Sequence, residues 1–106
     1  MMAIQLEIRP LASLEILDAY DWYEAQLAGL GERFLSDLDE FFAMLLRNPN
    51  TCGFLEDNIR QGRLSTFPYL VVYEVFQEKV VVFSVFHTSQ NPDKKRKMLG
   101  FFVFCY

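Results

Sequence analysis

The stretch AYDWYEAQLAGLGERFLSDL, Ala19–Leu38, decides the fold because two amphipathic helices meet within it. Apolar residues around it recur at the spacing that places side chains on one helical face. The first stripe comprises Ile16, Tyr20, Tyr23, Leu27 and Leu30, and the second comprises Phe34, Leu38, Phe41 and Leu45. Gly29 and Gly31 supply a tight break between the stripes. So short a link predicts that the two helices form an antiparallel hairpin.

The ends and the polar side of this hairpin also have sequence signals. Ser13 is a residue type that caps helix N-termini, and Asn48-Pro49 predicts the end of the second helix. The second stripe is widened by Leu35, Phe42 and Leu46. The more hydrated side of the second helix is expected to hold Asp37, Asp39, Glu40 and Arg47.

The flanking segments have the patterns of strands. Apolar and polar residues alternate over residues 3–9 until Pro10, whereas residues 51–58 are weakly patterned and predict a loop. From Ile59 to His87 the chain is rich in β-branched and aromatic residues, with a turn at Gln77-Glu78. The last of these strands, KVVVFSVFH, is nearly all apolar, which predicts a central position. We therefore predict one α+β domain over residues 1–106, ordered β-α-α-β-β-β, with the hairpin on one face of a mostly antiparallel sheet.

Composition narrows the class of protein. A chain of 106 residues with 52% hydrophobic residues can fold around one core without a metal or a disulfide. We expect Cys52 and Cys105 to be free thiols, with a single disulfide as the alternative, and we expect no metal site, no cofactor and no membrane contact. No secretory signal precedes the domain, so a soluble cytoplasmic protein is expected. Residues 1–57 carry eleven acidic and three basic side chains, whereas residues 58–106 carry three acidic and seven basic ones, so only the second half attracts a polyanion or an acidic protein.

Four stretches together resemble a known family. They are Ala19–Leu38, the pair Asn48-Pro49, IRQGRLSTFPYLVVYEV at Ile59–Val75, and VFHTSQNP at Val85–Pro92. In order and spacing the chain resembles the RelE/ParE superfamily of type II toxin–antitoxin toxins, in particular its ParE-like plasmid-stabilisation branch. The resemblance implies a toxin that binds DNA gyrase and is neutralised by a cognate antitoxin. RelE-like members are instead endoribonucleases that act on mRNA at the ribosome, and a third alternative is a non-toxic remnant that only binds an antitoxin or dimerises.

Two arginines are candidate site residues on the strand after the helices. Arg60 falls where the family usually has an arginine, and RelE-like nucleases use arginines in this region to hold phosphates. Arg63 lies three residues later, so it points to the opposite face unless a bulge at Gly62 brings the two together. Ion pairing with the helix acids is the alternative role for either side chain.

Tyr69 and Tyr73 alternate with apolar residues, so both face one way. The pattern FPYxxxY matches the family and makes them candidates for contact with a target or an antitoxin. Packing explains them equally well.

His87 is the single histidine of the chain. Under the ribonuclease alternative, it moves a proton to or from a ribose hydroxyl while Arg60 holds phosphate. Thr88, Ser89 and Gln90 follow it and offer no charged partner, so a structural role at the strand end, donating to a backbone carbonyl, is favoured.

The final segment has two parts. Its basic run, Lys94, Lys95, Arg96 and Lys97, is expected either to be solvated or to bind an acidic antitoxin stretch or nucleic acid. The apolar extension Met98–Tyr106 lies outside the resemblance. We expect it to add a strand to the sheet, to pair with a second copy in a homodimer, or to meet a partner.

Overall fold

The computed structural model describes residues 4–89 as two helices packed on a five-stranded sheet. In chain order the elements are β1 (Gln5–Ile8), α1 (Pro10–Gln26), α2 (Leu30–Arg47), β2 (Phe54–Glu56), β3 (Ile59–Arg63), β4 (Tyr69–Phe76) and β5 (Lys79–His87). The predicted α+β class and the helical hairpin are confirmed. The prediction of a loop over residues 51–58 is wrong, because β2 pairs there with β3. The expected strand at Met98–Tyr106 lies outside the described residues.

The start of α1 differs from the prediction. Its N-cap is Arg9, and Pro10 occupies the first turn, where the missing N–H costs no hydrogen bond. Ser13 is therefore not the cap, and its N–H already donates to the carbonyl of Arg9. Because α1 ends at Gln26, Leu27 is an extended capping residue with 61% of its surface exposed rather than a core residue. The α2 stripe is buried as predicted, and α2 ends at Arg47 before Asn48.

A carboxylate from α1 caps the N-terminus of α2. Gly29 adopts a left-handed backbone (φ 89°), which turns the chain between the helices. The Glu24 side chain then accepts hydrogen bonds from the backbone N–H groups of Gly29, Gly31 and Glu32 at 2.9–3.3 Å. These N–H groups have no partner inside α2, so Glu24 both satisfies them and complements the helix dipole.

The sheet order is β1-β5-β4-β3-β2. β1 runs parallel to β5, and the other neighbours are antiparallel. Gln77 and Glu78 both have positive φ, as a two-residue hairpin turn between twisted strands requires. The apolar strand β5 lies between β1 and β4, so its predicted central position is confirmed.

A bulge in β5 ties the sheet to α1. Val72 is paired with Ser84 while Tyr73 is paired with Val82, so β5 has one extra residue at Phe83. The Glu15 carboxylate of α1 accepts hydrogen bonds from the Ser84 hydroxyl (2.7 Å) and the Val85 N–H (3.0 Å).

The sheet carries apolar side chains on both faces. The main core lies between the helices and one face and includes Phe34, Leu45, Val71, Tyr73 and Val82. A second cluster contains Val72, Phe83 and Phe86. Within residues 4–89 no helix has the length and apolar character needed to cross a membrane.

Candidate functional site

Arg60 braces the connection between α2 and β3. It lies in β3 opposite Tyr73, and its Nη1 donates to the carbonyls of Asn50 (3.3 Å) and Cys52. Its guanidinium also lies over the Phe54 ring, 3.9 Å from the ring centroid. A guanidinium held by two carbonyls and an aromatic face is ordered in advance, but much of its bonding capacity serves the chain itself.

Tyr73 holds the same connection from inside the core. Its side chain is fully buried, and its hydroxyl donates to the carbonyl of Pro49 at 3.1 Å. Burial raises the pKa of Tyr73, and the neighbouring Cys52 thiol adds to that rise. The expectation of direct partner contact by Tyr73 is therefore wrong, because no surface of this side chain is available.

Arg63 lies apart from Arg60. β3 pairs without a register shift through Gly62, so the bulge that would bring the two arginines together does not form. Arg63 is exposed at the end of β3, where it borders a groove of about 530 Å³ beside α2 that includes Glu40 and Arg47. The two guanidinium groups do not converge on one ligand position.

Tyr69 and His87 form a cross-strand pair at the end of β4 and β5. Their rings meet edge to face with centroids 5.3 Å apart. Burial raises the pKa of Tyr69 to about 12, helped by the neighbouring phenol of Tyr23. Tyr69 and Tyr73 both pack on the helix side of the sheet, which confirms that they face one way.

His87 fixes the turn that follows it. Its Nδ1 accepts a hydrogen bond from the backbone N–H of Ser89 at 3.0 Å and lies 2.8 Å from the Ser89 hydroxyl. The imidazole thus accepts from the backbone and does not donate to a carbonyl as expected. A nitrogen that accepts carries no proton, so the ring proton of this tautomer lies on Nε2.

A shallow groove of about 220 Å³ adjoins this pair. Besides His87 and Tyr69 it is lined by Asp18 and Trp22 of α1. The sequence interpretation did not identify these two α1 residues. Their separation of four positions, which aligns side chains on a helix, was the available signal.

Asp37 sets the position of the segment that enters β4. The side chain is 6% exposed, and it accepts hydrogen bonds from the Ser65 hydroxyl (2.8 Å) and the N–H groups of Thr66 (3.0 Å) and Phe67 (2.7 Å). Burial alone raises the pKa of Asp37, but these hydrogen bonds outweigh it and hold the pKa below the ordinary value of 3.8. The expected hydrated position of Asp37 is wrong, because the loop before Tyr69 folds over it.

The structure describes only one of the remaining candidate residues, Cys52. The basic run Lys94, Lys95, Arg96 and Lys97 lies outside the described residues, as does Cys105. Cys52 is a free thiol. In the described part of the chain, no three His, Cys, Asp or Glu side chains converge as metal ligands.

One family model matches most of the chain, and two solved structures share its fold. The family model described as the ParE toxin of type II toxin–antitoxin systems, parDE, matches residues 6–92. No curated protein matches at a significant level. Among solved structures, a chain of the chromosomal ParDE system from P. aeruginosa aligns with a TM-score of 0.72 and 15% identity, covering 82% of this chain and 98% of that one. The isolated E. coli RelE toxin aligns with a TM-score of 0.60 and 17% identity, covering 93% and 99%.

Proposed function

Because the chain belongs to the ParE toxin family of type II toxin–antitoxin systems, we propose that it inhibits growth by binding a target such as DNA gyrase. A cognate antitoxin neutralises it under this proposal. Binding, rather than cleavage of a bond, is the mode of action that the side-chain geometry favours.

The separation of Arg60 from His87 carries this proposal. They lie on β3 and β5, opposite Tyr73 and Tyr69 respectively. The spacing between strands and the rise along them place the Cα atoms of Arg60 and His87 roughly 15 Å apart. General acid–base catalysis needs its groups within hydrogen-bond reach of one reacting position. Both side chains are also engaged within the chain, Arg60 with two carbonyls and His87 with Ser89.

The antitoxin is proposed from the family and from the similar ParDE structure, which is described as a toxin–antitoxin system. The candidate contacts are Arg63, Tyr69 and the cations Lys94–Lys97, with Arg60 contributing only the part of its guanidinium not held by the loop. Cationic side chains favour an acidic partner and speed its association.

The alternative is RelE-like cleavage of mRNA at the ribosome, with Arg60 holding phosphate and His87 moving a proton. The similarity to the RelE toxin keeps this reading as the second candidate, although it concerns the fold alone.

Expression of the chain alone, with and without the adjacent upstream reading frame, tests the proposal. We expect growth arrest alone and normal growth with the neighbour. Unimpaired growth of cells that contain the folded protein would contradict both toxin readings and leave the non-toxic remnant.

His87→Ala separates the two toxin readings. Under the binding proposal this variant still arrests growth, transcripts stay intact, and purified gyrase loses supercoiling activity when the protein is added. Transcript cleavage by the parent protein that is lost in His87→Ala would establish the ribonuclease instead. Ser89→Ala is the matched control, since it removes one partner of His87 but no ionisable group.

A further inference from the structure

One face of α1 exposes large apolar side chains. Leu14, Leu17 and Trp22 are 60%, 54% and 59% exposed. With Asp18, Asp21 and Ala25 they follow helical spacing and form one continuous surface, which we call the α1 stripe. The Trp22 ring packs edge-on against the buried Tyr23, with ring centroids 5.1 Å apart, and the rest of the ring remains exposed.

Packing among residues 4–89 leaves the α1 stripe exposed. α1 is anchored through its opposite side, where Ala12, Ala19 and Tyr23 are buried. Scattered single apolar residues on a surface need no explanation, but aligned leucines and a tryptophan on one helix are typical of a surface that another molecule covers.

The charges along α1 indicate the chemistry of that molecule. α1 contains four acidic residues and no lysine or arginine. Glu15 and Glu24 are bonded to N–H groups of the chain itself. Asp18 and Asp21 lie within the α1 stripe, and among residues 4–89 no hydrogen bond or ion pair to either carboxylate is found. These two carboxylates repel each other at i,i+3 spacing, and a cation placed between them relieves that repulsion.

We propose that the α1 stripe binds a basic amphipathic segment of a partner protein, in which lysine or arginine alternates with apolar side chains at helical spacing. The apolar side chains cover Leu14 and Leu17, and the cations pair with Asp18 and Asp21. The groove between Asp18, Trp22 and His87, of about 220 Å³, accepts one basic side chain whose stem lies on the Trp22 ring. The inference does not depend on gyrase binding or toxicity.

Trp22 gives a direct readout because it is the only tryptophan in the chain. The probe is a synthetic helical peptide of leucine and lysine at amphipathic spacing, and the control is the same peptide with glutamate in place of lysine. We expect the lysine peptide to shift Trp22 emission to shorter wavelength saturably, and the glutamate peptide to leave it unchanged. Binding should also weaken as salt shortens the Debye length from about 30 Å to about 3 Å.

The variant pair Asp18→Asn with Asp21→Asn tests the site. Loss of two exposed ion pairs should weaken binding roughly three- to tenfold. Asp39→Asn with Glu40→Gln, which removes two exposed acids from α2, is the matched control and should bind as the parent does. Leu14→Ser with Leu17→Ser should weaken binding without changing the circular dichroism spectrum.

Three outcomes would overturn the proposal. The first is no emission shift, and the second is equal loss of affinity in the α1 and α2 acid pairs. The third is Trp22 emission that is already blue-shifted in the free protein. In that case dependence on protein concentration identifies a second copy as the occupant, and independence identifies another part of the same chain.

Discussion

The Asp37 carboxylate on α2 accepts a 2.7 Å hydrogen bond from the backbone N–H of Phe67, thirty residues later in the chain. With Ser65 and Thr66 as further donors, this one side chain organises the segment that enters β4. Tyr69, which borders the groove with His87, follows directly.

Asp37→Ala should destabilise the fold by roughly 2–4 kcal/mol, because the buried N–H of Phe67 and the partly buried N–H of Thr66 lose their acceptor. Urea unfolding followed by circular dichroism measures the change. Asp39→Ala, at an exposed position on the same helix, is the control and should stay within about 0.5 kcal/mol of the parent. Equal effects of the two substitutions would contradict the role given to Asp37.

Acid should weaken the fold through Asp37. Its folded pKa lies below the ordinary value of 3.8, so between the two values the unfolded chain binds more protons than the folded one. The stabilisation is complete above pH 3.8 and is lost as the pH falls through the folded pKa. As the pH falls through this range, the free energy of unfolding should decline less steeply in Asp37→Asn than in the parent protein. An identical decline in the two proteins would show that Asp37 does not cause the loss of stability.

Raising the pH should destabilise the fold through the ionisation of two tyrosines. The pKa of Tyr69 is raised to about 12 and that of Tyr73 is raised too, while unfolded tyrosine titrates near 10.0. The folded state therefore holds protons that the unfolded state has released, and stability falls as pH rises above about 10. Absorbance at the phenolate band should show late ionisation of these groups, coincident with unfolding. Tyr69→Phe should reduce the rate at which the free energy of unfolding falls with pH.

Gly62→Ala should disrupt the contact between β3 and α2. An added Cβ would lie 2.5 Å from the Cys52 sulfur and 2.6 Å from Cζ of Phe41. Overpacking of this kind costs about 1–3 kcal/mol. At Gly53 an added Cβ meets nothing within 4 Å, so Gly53→Ala is the matched control. Thermal unfolding of the two variants compares them directly.

Arg60→Lys tests whether Arg60 acts through the connection that it braces. Lysine keeps the charge but cannot hold two carbonyls in the same planar arrangement. We expect faster amide hydrogen exchange over residues 50–54, with β5 unaffected. Any loss of activity should accompany that loosening. Lost activity with unchanged exchange would instead place Arg60 in direct contact with a target.

Helix α2 was predictable because its apolar residues occupy a single face. α1 was not fully predictable, since Leu14 and Leu17 give it a second apolar face and Pro10 precedes the expected cap. Asp37 was predicted to lie on the hydrated side of α2, because its hydrogen-bond partners are remote in sequence and no local sequence pattern indicates them.

The pairing of Tyr69 with His87 could not be predicted from the sequence, because it depends on the register of β5. Counting back from the turn at Gln77-Glu78 would place Phe86, not His87, opposite Tyr69. The extra residue at Phe83 shifts the register, and its stabilisation by Glu15 is a tertiary contact. A one-residue shift moves a side chain to the other face, so the bulge determines which residue reaches the groove.

The parallel pairing of β1 with β5 also constrains when the chain can fold during its synthesis. Among residues 4–89, β1 is the first strand in chain order and its partner β5 is the last, so β1 stays unpaired until β5 has been made. Such nonlocal pairing delays folding until both segments are available. A nascent chain interrupted before Lys79 can pair β2, β3 and β4 but leaves β1 without its partner. Any activity that depends on the complete five-stranded sheet therefore begins only after translation has passed β5.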